Sequence, residues 1–145
     1  MWFKTNIRFF VLLDVFEEKW ENWDMNIYLD IDGVLIDKNH KPVKNVVKFL
    51  KYMTKNHNCY WLTTHCRTGG NRAFEYLEDK LPAKALKYIK KIKPTDWNTL
   101  KTEAIDFTKD FLWYDDFILP AEENVLKEHD CLKNLVRVED SKLIY

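Results

Sequence analysis

Few residues in this 145-residue chain loosen a backbone: it has 3 Gly and 4 Pro, too few for a collagenous, linker-like or low-complexity chain. Its cysteines number three, Cys59, Cys66 and Cys131, an odd count without a CxxC pair. That argues against a zinc site or a disulfide framework and for free thiols in a reducing compartment, so a cytoplasmic protein is expected. No apolar run reaches the roughly 18 residues of a membrane span. The stretch Phe9–Phe16 follows Lys4 and Arg8 as a secretory leader would. Asp14 breaks it, and Glu17, Glu18 and Glu21 stand where small residues should precede a cleavage site. Net charge is absent too, with 23 basic and 23 acidic residues.

What is present is a globular composition, 46% hydrophobic and 32% charged, with 22 aromatic residues. The length fits one domain with its own core. Charge is segregated along the chain. Residues 38–101 hold 15 Lys and Arg against 4 acids, a balance of +11, and the remainder balances it at −11. Such a split is either a pair of solvated faces or a surface for an anionic partner.

Strand and helix signals alternate. Short apolar runs predict strands over Asn26–Ile31, Cys59–Thr63, Leu86–Ile92, Phe111–Tyr114 and Leu135–Val138. Helical spacing is expected over residues 7–23, from Pro42 onward, over Asn71–Leu81, over Thr99–Lys109 with Thr99 as cap, and over Ala121–His129. In the second of these, Val43, Val46, Val47, Leu50 and Met53 form an apolar face opposite Lys41, Lys44, Lys48, Lys51 and Lys55. The alternation predicts a Rossmann-like α/β three-layer sandwich around a central, mainly parallel five-stranded sheet. Residues 1–24, rich in Trp and Phe, read as a helical extension before a domain spanning 25–145.

In such sheets ligands gather beyond the carboxyl ends of the strands. There the first strand delivers Asp30 and Asp32 before Gly33, which lets the chain turn sharply. The second delivers Thr63 and Thr64, and the fourth Asp115 and Asp116. Four converging carboxylates repel one another unless a cation lies between them, and hard oxygen ligands suit Mg²⁺.

Asp30-Ile31-Asp32-Gly33-Val34 after a strand, a strand-end Thr63, a later lysine and the Asp115-Asp116 pair resemble the haloacid dehalogenase (HAD) superfamily of aspartate-nucleophile phosphohydrolases. The likeness covers residues 25–138. The strings WLTT, NTLKTEAI and WYDD are similar to the small HAD domains associated with bacterial Swiss Army Knife RNA-repair systems. The resemblance implies Asp30 as nucleophile, Asp32 as acid and base, and Mg²⁺ held by Asp30, Asp115 or Asp116 and a backbone carbonyl at Asp32. Thr63 and a lysine would hold the phosphoryl oxygens. Lys101 fits the pattern better than Lys93, and Thr63 better than Thr64, whose backbone N–H remains a candidate contact. Gly33 and Arg67 complete the expected phosphate surroundings, while His65 and Cys66 read as loop residues. Trp61, Trp113 and Tyr114 read as core, and Trp97 as a loop residue able to stack on a base.

HAD enzymes for small metabolites usually carry a cap after the first or second motif. Here 30 residues separate Asp32 from Thr63 and 37 separate Thr63 from Lys101, too few for a folded cap in either place. An open crevice predicts a large phosphorylated substrate, with a nucleic-acid end or nucleotide favoured by the lysine stripe and by Lys84, Lys87, Lys90, Lys91 and Lys93. The alternatives are a phosphoprotein, a small metabolite covered by an oligomer partner through the N-terminal extension, or a non-catalytic HAD-fold interaction module.

Overall fold

The computed structural model describes residues 24–139 and 143; the helix expected over 7–23 lies outside them. Four strands, β1 (Asn26–Leu29), β2 (Asn58–Trp61), β3 (Phe111–Asp115) and β4 (Leu135–Arg137), form one sheet in the order β2-β1-β3-β4. Every pairing is parallel. The helices are α1 (Val46–Asn56), α2 (Ala73–Leu77), α3 (Leu86–Ile89) and α4 (Pro120–Glu128), with short 3₁₀ turns between them. None is long and apolar enough to cross a membrane.

Alternation along each strand explains why both sheet faces are covered. Ile27, Leu29, Cys59, Trp61, Leu112, Tyr114 and Val136 enter one core with Phe49, Leu50 and Met53 of α1 and Leu77 of α2. Their neighbours Tyr28, Phe111 and Trp113 enter the other, with Trp97, Ile105, Ile118 and Leu126. Each fully buried aliphatic or aromatic side chain of this kind contributes about 1.5–3 kcal/mol. Trp61, Trp113 and Tyr114 lie in these cores as expected. On α1, Lys48, Lys51 and Lys55 are exposed opposite the buried face.

The expected strand over Leu86–Ile92 is absent, so the sheet has four described strands rather than five. Ala85, Ile89 and Ile92 are buried at steps of four and three, a helical period, and α3 forms there. Only a single parallel bridge, Tyr60 to Lys93, survives at that edge. Three expected helices are also shorter, and the one over Asn71–Leu81 keeps only Ala73–Leu77. The one over Thr99–Lys109 shrinks to a 3₁₀ turn at Lys101–Ala104. Nor does Pro42 open α1: it bridges Ile36, and the helix begins at Val46 after Asn45 in a left-handed conformation. None of the three cysteines is in a disulfide, and Cys59 and Cys66 are buried.

Strand order fixes where a site can form. The chain leaves β1 toward β2 on one side, then returns across β1 to β3 on the other. The crevice beyond β1 and β3 is therefore the switch point of the sheet.

Candidate functional site

Register carries Asp30 and Asp115 to the same level. Leu29 pairs with Tyr114, and the Asp30 amide donates to the Tyr114 carbonyl at 3.0 Å, so the next residue on each strand stands side by side at the switch point. Both aspartates are buried, at 8% and 1% exposure. Lys101 lies between them: its Nζ donates to Asp115 Oδ2 at 2.7 Å and stands 3.4 Å from Asp30 Oδ1. The other candidate, Lys93, is exposed and serves β2 through its backbone.

Two glutamates hold Lys101 in place. Glu103 accepts the amides of Asn98, Thr99 and Leu100, so it caps the turn that Thr99 was expected to cap. Glu122, buried at the start of α4, accepts the Lys101 amide at 2.7 Å through one oxygen and the Leu119 amide at 2.9 Å through the other. Neither acid stands out as a site residue in the sequence. Pro120 followed by Glu122 is the signal for Glu122, since proline suits the first helical position and glutamate the third.

Asp116 completes the acidic group. One carboxylate oxygen each from Asp30, Asp115 and Asp116 fall within 4.8 Å of one another. Gly33 makes the approach possible: its φ is +82°, and a Cβ there would lie 2.2 Å from Asp116 Oδ2. A side chain at 33 would push the acid away. Burial raises the pKa of Asp30 against the pull of Lys101. Burial, then the Asp30 carboxylate, pushes Asp115 up to about 7. Asp116 is raised by burial and by Asp115. Lys101 is lowered by burial but raised more by Asp30 and Asp115, and stays above its ordinary value. One ammonium thus leaves three crowded carboxylates undercompensated, and an all-oxygen group of this charge fits a hard cation.

Asp32 is not in this group. Its side chain is half-exposed, accepts the Tyr76 hydroxyl at 2.7 Å and stands 3.4 Å from His65 Nε2. The Tyr76 ring packs 4.0 Å from the His65 ring, centroid to centroid, and its hydroxyl is 3.3 Å from His40 Nδ1. Burial and the Asp32 carboxylate push the Tyr76 hydroxyl up to about 12, so it donates throughout the physiological range. Of the expected metal residues, then, Asp30, Asp115 and Asp116 come together by side chain, while Asp32 faces the outer rim. His65 is more than a loop residue, and its place directly after the strand-end threonines was the available signal.

Thr63 is buried, and its hydroxyl accepts the His65 amide at 3.4 Å as the cap of the 3₁₀ turn Thr64–Cys66. Thr64 is exposed. Trp97 is only 7% exposed and its indole N–H donates to the Thr63 carbonyl at 3.2 Å, so it props the second strand end and offers no free face to a base. Arg67 packs over that ring at 5.6 Å and donates from Nε to the Asn98 carbonyl at 2.7 Å. Comparison with protein-family models, curated proteins and solved structures finds no match to this chain.

Proposed function

We propose that this chain is a Mg²⁺-dependent phosphohydrolase of the HAD type, built on a Rossmann-like domain and acting through an aspartyl-phosphate. The observation that carries the reading is a buried aspartate at the end of the central strand, beside a second buried aspartate and a lysine ammonium that touches both. A structural ion pair needs one acid; here a third, Asp116, is admitted by a glycine.

Asp30 attacks phosphorus, an acyl-phosphate bond forms and the ester P–O bond breaks, which divides one difficult displacement into two. Asp32, on the exposed side, gives its proton to the leaving oxygen. It then takes a proton from the water that cleaves the acyl-phosphate, restoring both aspartates and releasing inorganic phosphate. The Lys101 ammonium and the Thr63 end of β2 hold the phosphoryl oxygens as charge shifts. Asp30, Asp115 and Asp116, with the Asp32 backbone carbonyl, would hold Mg²⁺, which when bound offsets the charge between a carboxylate and a phosphate. The half-exposed Asp32 suits a leaving group that projects from the crevice, so the substrate is large or exposed, such as a phosphorylated nucleic-acid end.

Phosphate release from an aryl phosphate, measured with and without Mg²⁺ for wild type and Asp30→Asn, tests the reading. Metal-dependent release lost in the variant supports it. Release that survives in a folded Asp30→Asn protein overturns the nucleophile assignment.

A further inference from the structure

The loop after β2 turns back on itself and builds a second feature beside the carboxylates. Thr68 and Gly69 take consecutive positive φ angles of 55° and 77°, the Gly70 amide donates to the Arg67 carbonyl, and the Arg72 amide donates to the His65 carbonyl. Thr68 is a non-glycine residue in the left-handed region, a strained conformation that is retained where the surroundings demand it. The reversal brings Arg67 and Arg72 to one open cleft of about 480 Å³, whose wall also includes Thr64 and His65.

This cleft is contiguous with the reaction site through His65, which lines it and stands 3.4 Å from Asp32 Oδ2. Arg67 is fixed from behind by the Trp97 ring and the Asn98 carbonyl, and Trp97 is itself tied to the Thr63 carbonyl. One guanidinium is therefore held at a set distance from the second strand end before any ligand arrives, which limits the ordering cost of binding. Glu103, the acid whose charge interacts with Arg67, already accepts three backbone amides. Arg67 and Arg72 line a polar cleft whose lining residues include no acid, the nearby Asp96 carboxylate standing behind Gly69, and guanidiniums on such a wall match a tetrahedral dianion.

We propose that this cleft binds a second phosphate group of the substrate, one separated from the group at Asp30, so that the preferred substrates carry at least two phosphates. The inference rests on the phosphohydrolase reading for the identity of the first phosphate, and the cleft supplies the selectivity. Two sources share this chemistry: the next backbone phosphate of an oligonucleotide, and the second group of a small bisphosphate. The excess of exposed lysines between residues 38 and 101 favours the oligonucleotide.

The test compares kcat/KM for a nucleoside 5′-monophosphate, a nucleoside 3′,5′-bisphosphate and a short single-stranded oligonucleotide phosphorylated at its end. Calorimetric binding of the same three probes is measured beside it, in wild type, Arg72→Gln, Arg67→Gln and the double variant. The second phosphate is expected to raise kcat/KM and affinity about tenfold or more in wild type. The double variant should bring the ratio of bisphosphate to monophosphate close to unity. Arg72 is exposed, so its replacement keeps the test open if Arg67→Gln disturbs Trp97. Turnover without preference, or a preference that survives in the double variant, overturns the subsite and leaves the phosphohydrolase reading standing. Arginine-dependent binding of the bisphosphate without turnover of any probe supports the subsite and overturns the phosphohydrolase reading. An oligonucleotide that outperforms the bisphosphate, with the gain lost in the double variant, supports the subsite and names the nucleic-acid source; equality of the two supports it and names the small molecule.

Discussion

Asp30 and Asp32 sit two residues apart on the same strand end and have opposite surroundings. Asp30 is buried against Asp115 and the Lys101 ammonium. Asp32 is half-exposed and meets the Tyr76 hydroxyl and the His65 ring rather than a lysine ammonium. The third strand repeats the division, with Asp115 buried and Asp116 exposed. Identical side chains are thus sorted by environment into an inner pair buried around the Lys101 ammonium and an outer pair that reaches solvent. Where environments separate two acids in this way, their roles in proton and group transfer separate too.

The comparison breaks most visibly at the inner acid. Asp30→Asn should abolish phosphate release, by at least about a thousandfold, with the circular dichroism spectrum unchanged. Asp32→Asn should cost about a hundredfold, and more for alkyl phosphates than for nitrophenyl phosphate, because only the poorer leaving group needs the proton. Equal losses for both esters would remove Asp32 from the proton-transfer role.

Charge compensation at the inner pair is tested through stability. Lys101→Met leaves Asp30 and Asp115 facing each other without a cation and should lower the unfolding free energy by about 3 kcal/mol in chelator, with part of the loss recovered in Mg²⁺. The wild type should show the same repulsion as a pH effect. Asp115 ionises near pH 7 in the folded metal-free protein and near pH 4 when unfolded, so the folded state holds the proton more tightly. Its contribution is complete below the unfolded value and is lost as pH rises through the folded one. The melting temperature in chelator should therefore fall by a few degrees from about pH 5 to about pH 7.5, and Mg²⁺ should flatten the slope. The exposed acid of the third strand gives the smallest effect. Gly33→Ala, strained at φ +82° and pressed on Asp116, should cost about 1–2 kcal/mol and weaken Mg²⁺ binding in a direct titration.

Sequence periodicity made the parallel α/β plan readable, and strand-end position made the meeting of Asp30 with Asp115 and Asp116 readable. Period-two burial and acids at strand ends are local signals. The failures were of three other kinds. At 86–92 the apolar residues Ala85, Ile89 and Ile92 follow a helical step that a short run of mixed residues conceals. Around Lys101, carboxylates bind nearby backbone amides, Glu103 reaching back to Asn98–Leu100 and Asp106 Oδ1 forward to Thr108. Those bonds replace helical ones and stop the helix that composition favours. Tyr76 gave no signal, and His65 read only as a loop residue, because both contacts with Asp32 are tertiary, 44 and 33 residues away.

Glu122 reaches across these regions as well. By binding the Lys101 amide with one oxygen and the start of α4 with the other, it yokes the turn that presents the ammonium to the loop that presents Asp115 and Asp116. The arm that would grip the anion and the arm that would grip the cation then move as one piece. Lengthening or shortening either loop would detune both, and the β2 loop, which leans on the same turn through Arg67 and Asn98, would feel the change as well.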